Sequence, residues 1–106
     1  MVKSRDIQIV KEFRSRLEAI MPILDLRIFG SRVKDTATED SDLDVFIKVP
    51  QLDRSHREKI YYLAWEVGFE HNLVISTFVV TENQIKSGAV GANPLLSKVL
   101  SEGVIV

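Results

Sequence analysis

Apolar residues recur at three-and-four spacing through the first twenty positions, at Ile9, Val10, Phe13, Leu17, Ile20 and Met21. That rhythm sets them on one face of a helix as a single buried stripe. Ser4 or Asp6 is suited to cap it and Pro22 to stop it, so the pattern predicts a helix to about Met21. Ile23–Phe29 then alternates, with Leu24, Leu26 and Ile28 on one side and Asp25 and Arg27 on the other, which reads as a strand running into Gly30-Ser31. A polar loop, Arg32–Ser41, separates it from a second strand over Asp42–Val49, rich in β-formers and ended by Pro50.

Asp53 or Ser55 can cap a second helix to about Phe69, with Ile60, Leu63, Ala64 and Val67 as its apolar stripe. Leu73–Val80 is nearly all apolar, the signature of a strand that is central and covered on both faces. Thr81 caps a short helical piece to about Lys86, and Ser87–Ala92 is a glycine-containing loop. Asn93-Pro94 opens a last helix with Leu95, Leu96, Val99 and Leu100 along one side. Gly103 stops it before a terminal strand, Val104–Val106. The order predicts an α/β (α+β) fold: a mixed sheet of about four strands with helices packed on it.

Composition narrows the chemistry. The chain has 106 residues, which we read as one domain over 1–106, with no repeat and no linker. It has no cysteine, which excludes disulfide frameworks, thiolate metal sites and thiol nucleophiles together. A net charge of −1 gives no strong nucleic-acid signal. No apolar run approaches the ~20 residues of a membrane span, and no signal core follows Met1, so the expected location is cytoplasmic.

The informative stretch is Gly30-Ser31, ten residues, then Asp42-Leu43-Asp44. A glycine at a strand end permits a positive φ and a close approach of backbone to a ligand. Ser31 adds a hydroxyl, and the N–H groups of such a turn can converge on a phosphate oxygen. Arg32 and Lys34 place positive charge beside it. Asp42 and Asp44 stand two apart on a strand, so their carboxylates point to one face. Close carboxylates repel unless a cation sits between them, and hard oxygen ligands suit Mg2+ held jointly with substrate phosphates. Gly-Ser alone, or Asp-x-Asp alone, says little. The full spacing arises by chance in about one chain in a thousand of this length. A calcium loop starting at Asp40 is rejected, because its sixth and twelfth positions are Val45 and Gln51 rather than glycine and glutamate.

Gly30-Ser31-Arg32, the ten-residue gap and Ser41-Asp42-Leu43-Asp44-Val45-Phe46 resemble the signature of the DNA polymerase beta-like nucleotidyltransferase superfamily. The short length resembles its minimal, stand-alone branch. The resemblance implies transfer of a nucleoside monophosphate from ATP or another triphosphate to a hydroxyl, with Mg2+. It makes Gly30, Ser31 and Arg32 nucleotide-binding residues, and Asp42 and Asp44 the catalytic metal ligands. It implies a helical HEPN-type partner protein, with the chain as the antitoxin of a toxin–antitoxin pair; some such proteins AMPylate the partner. A homo-oligomer is left open. One departure stands out. The family pattern has a third carboxylate on the strand after the second helix, where this chain has Ser76 or Thr77. Asp25 lies roughly 17 Å from Gly30 along its strand and Glu82 about 20 Å past Ser76, while Glu70 cannot be placed from the sequence. The alternative to an enzyme is therefore an interaction module that silences a partner by binding it.

Other features have plainer readings. His56 and His71 are read as surface or helix-end residues, since their separation does not match zinc-ligand spacing. The basic start of the second helix, Arg54 to Lys59, is a solvated face. Of Tyr61, Tyr62, Trp65 and Phe69, some are expected in the core, while Tyr61, Trp65 and Phe69, four apart, can extend an exposed apolar stripe that would be a protein interface.

Overall fold

The first stripe folds as helix α1 (Ser4–Glu18), burying Ile9, Val10, Phe13 and Leu17 in a computed structural model that describes residues 2–38, 40–88 and 93–106. The helix starts at Ser4, and Lys3 stands at the N-cap without a side-chain bond. Asp6 is buried in the first turn rather than capping it. The helix also ends three residues before the expected Met21, although Met21 is buried against the same core.

Strand β1 (Asp25–Phe29) runs into a 3-10 turn at Gly30–Arg32. Leu24 precedes the strand and is exposed, whereas Leu26 and Ile28 are fully buried. Strand β2 (Leu43–Val49) returns antiparallel to β1, with Phe29 opposite Asp44 and Asp25 opposite Lys48. Helix α2 (Arg54–Glu70) crosses over to β3 (Ile75–Thr81), which lies parallel to β2 with Asp44 opposite Ser76. A crossover helix is what a parallel neighbour requires. Helices α3 (Glu82–Lys86) and α4 (Pro94–Glu102) lead to β4 (Val104–Ile105), antiparallel to β1. Thr81 and Asn93 cap their helices as expected, Thr81 in a full capping box. Of the glycine loop expected at 87–92, residues 89–92 lie outside the described ones.

The strand order β3-β2-β1-β4 corrects the sequence reading of the third strand. Its apolar run belongs to an edge strand, and β2 is central. Period two explains how β2 serves both faces. Leu43, Val45, Ile47 and Val49 pack with α1 and α2, and Phe46 packs on the other face with Val80, Leu96 and Val99. Fully burying an apolar side chain of this size contributes about 1.5–3 kcal/mol, so β2 is the strand the fold is built around. The aromatic residues of α2 meet one expectation and correct the other: Tyr61, Trp65 and Phe69 extend an exposed stripe, and none of the four is in the core. Ile60, Ala64 and Val67 form its buried stripe, while Tyr61, Tyr62, Trp65 and Phe69 are all exposed. Among the described residues, no helix is long and apolar enough to cross a membrane.

Candidate active site

Gly30 has φ +79°, the left-handed region that only glycine enters without strain. A Cβ built there would fall on the carboxylate of Asp44, far inside van der Waals contact. The turn therefore closes directly over Asp44. Its carbonyls are occupied: Val33 N–H donates to Gly30 O at 3.1 Å, and Lys34 and Thr36 N–H donate to Ser31 O, each at 3.2 Å. The leading N–H groups of a helical turn have no partner within it, so those of Gly30 and Ser31 are the donors this turn offers outward.

Asp44 is half-buried at the start of β2, and Asp42 is exposed just before it. Burial pushes the Asp44 carboxyl above its ordinary value, the negative charge of Asp42 pushes it further, and the positive charge of Arg32 partly offsets both. Two carboxylates on one face thus disfavour each other's charge. That is the donor set a hard divalent cation satisfies, so the residues present fit Mg2+.

Arg32 does not stand as a loose charge beside the turn. It is buried, its Nη1 donates to Asp6 Oδ1 at 3.1 Å, and its Nη2 donates to Ser41 O at 2.6 Å. The residue expected to contact nucleotide thus ties the turn to α1 and to the residue just before Asp42. Nothing in the spacing announced this pair, because Asp6 has the look of a helix-capping acid. Lys34 is held by Glu102 of α4 at 3.2 Å.

The register separates the two hydroxyl residues that stand where the resemblance leads one to expect a third acid. Ser76 stands opposite Asp44, whereas Thr77 stands opposite Val45 on the other face. Asp25, Glu82 and Glu70 lie elsewhere. Asp25 is at the far end of β1, paired with Arg27 at 3.0 Å, and Glu82 pairs with Lys86 at 3.2 Å. Glu70 joins Glu12 and His71 in a group spaced to hold a metal ion. Arg16 already neutralises that group, reaching Glu70 at 2.8 Å and Glu12 at 3.3 Å, which reads as an ion-pair clasp between α1 and α2. His71 and His56 are both at ends of α2, His56 bonded to the capping Asp53. A groove of about 390 Å3 lined by Met21, Pro50, Leu52 and His56 lies at the opposite end of β2 and forms no part of this site.

The nucleotidyltransferase domain model matches residues 7–106, and the chain belongs to that family. The fold is similar to that of a candidate nucleotidyltransferase from Sulfolobus solfataricus known from its crystal structure, with a TM-score of 0.57 at 18% identity over 95% of this chain and 78% of the other. No curated protein matches the chain.

Proposed function

We propose that the chain binds a Mg2+–nucleoside triphosphate at Gly30, Ser31, Asp42 and Asp44 and transfers the nucleoside monophosphate to a hydroxyl of a partner protein or small molecule. The observation that carries this reading is the closure of the Gly30 turn over Asp44. It puts a turn able to accept phosphate directly against Asp44, with Asp42 two residues away in the chain, which supports a joint site for metal and triphosphate. Membership of the nucleotidyltransferase domain family supports the same reaction class. In the transfer, the acceptor oxygen bonds to the α-phosphorus, its proton passes to solvent water, and the bond to the departing pyrophosphate breaks.

Each residue then has a defined task. Asp42 and Asp44 would hold the metal, which supplies charge neutralisation on the phosphates. Gly30 lets the backbone approach the phosphates, and the Ser31 hydroxyl can donate to a phosphate oxygen. In this reading Arg32 is a positioning residue. Through Asp6 and Ser41 it fixes both ends of the loop that carries the turn and the aspartates. The acceptor would belong to a helical HEPN-type protein, for which the chain would be the antitoxin; the resemblance of Gly30–Asp44 to the superfamily signature, with the resemblance of the short length to the minimal branch, supports this. Replacing Asp42 and Asp44 together by Asn should abolish Mg2+-dependent triphosphate binding in calorimetry, and unchanged binding would remove the site assignment.

A second reading rests on Ser76. With a hydroxyl rather than a carboxylate opposite Asp44, the chain can retain nucleotide and yet act by binding a partner alone. Mass spectrometry of the co-purified complex with ATP and Mg2+ separates the two. A partner heavier by one AMP supports the enzyme, and an unmodified tight complex supports the binding module.

A further inference from the structure

Among the described residues, strand β3 is a sheet edge without the usual protection. Natural edges are shielded by charges, prolines or bulges, because their unpaired N–H and C=O groups otherwise recruit another strand. From Leu73 through Thr81 there is no charged residue and no proline. Leu43 N–H donates to Val74 O at 2.8 Å, which fixes the phase of the parallel ladder. Alternate residues face β2, so Ile75, Thr77 and Val79 turn their backbone groups to the open side. Thr81, next in that series, agrees: its N–H goes to Gln84 Oε1 at 2.9 Å instead of to β2. Among the described residues, β2 is the only strand paired with β3.

Beside this edge the aromatic row of α2 stands in solvent. Tyr61 is 47% exposed, Trp65 62% and Phe69 72%, and Trp65 stacks on Phe69 with ring centres 5.3 Å apart. With Val74, Ile75 and Thr77 they line an apolar groove of about 420 Å3 between helix and strand. The strand and the row therefore form one continuous surface.

We propose that this surface pairs with a second copy of the chain about a twofold axis, β3 against β3 antiparallel and α2 against α2. An open strand edge is complemented by another open edge, and the chain carries one of the right length and chemistry in β3. Its other edge, β4, has only two residues. A twofold centred on Phe78 sets Thr77 of each copy opposite Val79 of the other, the residues whose backbone groups face outward. It sets Ile75 opposite Thr81 and Ser76 opposite Val80, so no charged side chains meet along the paired strands. Area supports the same occupant. The three rings offer about 350 Å2 of exposed surface per copy at 150–250 Å2 each. Strand pairing and Val74 add toward the roughly 800 Å2 per partner of a stable interface. A purely helical partner would cover the rings and leave the strand edge unpaired. The pairing uses the outer edge of β3, one strand away from Asp44, and its test does not depend on nucleotide binding.

Sedimentation velocity of the full chain from about 1 μM to about 1 mM tests it. A monomer–dimer equilibrium is expected, with Trp65→Glu and Phe69→Arg each weakening association by about tenfold or more. Both positions are exposed, so the variants keep the wild-type circular dichroism. Hydrogen exchange at the Thr77 and Val79 amides should slow as concentration rises. A chain monomeric throughout, a dimer indifferent to both variants, or exchange at Thr77 and Val79 independent of concentration overturns the proposal. So does a monomeric chain whose α2 row is covered only by a helical partner.

Discussion

Gly30 and Asp44 occupy space that only a residue without a side chain can share: a Cβ at position 30 would lie against the Asp44 carboxylate, and the backbone there has φ +79°. Gly30→Ala is therefore penalised twice, by left-handed strain of roughly 1–2 kcal/mol and by displacement of Asp44. The expected outcome is a melting temperature several degrees lower, since about 1 kcal/mol shifts a domain of this size by 4–8 °C. Magnesium-dependent triphosphate binding should weaken further than that stability loss explains, measured by calorimetry at a temperature where the variant is folded. Full-strength binding by a destabilised Gly30→Ala would separate the turn from the site.

The charge on Asp44 makes a pH prediction. Burial first, and Asp42 second, raise its carboxyl above the ordinary value of 3.8. The folded state thus holds the proton more tightly than the unfolded chain, so this group makes stability fall as pH rises from 3.8 through the higher folded value. Above that window ionised Asp44 opposes the fold. Asp44→Asn should melt higher than wild type at neutral pH, with the difference vanishing below about pH 4. Adding Mg2+ should stabilise wild type and leave the variant unmoved. A variant that melts lower than wild type at neutral pH would show that Asp44 is stabilised by its surroundings instead.

Arg32 and Asp6 form a buried ion pair at 3.1 Å, joining the turn to α1. Removing either member takes away a buried charge–charge contact, a change that typically costs about 3–5 kcal/mol. Asp6→Ala and Arg32→Ala should each destabilise strongly in urea unfolding, and the double variant should cost clearly less than their sum. Arg32→Lys should fail to restore wild-type stability, because an ammonium cannot fork between the Asp6 carboxylate and the Ser41 carbonyl. Additive single effects would mean the two side chains are not coupled.

Much of this was legible in the sequence, and the reasons differ by residue. The stripe Ile9–Leu17 and the alternation through Leu26 and Ile28 report burial directly, because one element buries one face. The Gly30–Asp44 spacing was legible because each residue type there has a backbone or charge requirement. The position of β3 was not, because an apolar run states that a strand is covered without stating by what. The exposure of Trp65 and Phe69 was legible as one of two readings, because their spacing fits a helix face equally well buried or free. The Asp6–Arg32 pair links residues far apart in the chain, and no local pattern carries such a contact.

Ser76 offers the sharpest test of how the site works. It stands opposite Asp44 on the same face of adjacent parallel strands, so a carboxylate there would join the aspartate pair. Ser76 is exposed, and Ser76→Asp should fold without disturbing the core. Without metal the added charge should lower the melting temperature by repulsion from Asp42 and Asp44, more at low salt than at high. With Mg2+ the order should reverse, since each added carboxylate raises affinity for a hard cation. If Ser76 is what limits turnover, AMP transfer to the co-purified partner should rise in the variant, read by intact mass. A variant whose melting temperature responds to Mg2+ as wild type does would mean that residue 76 does not reach the metal, and the hydroxyl there would then have no bearing on whether the chain acts as an enzyme or as a binding module.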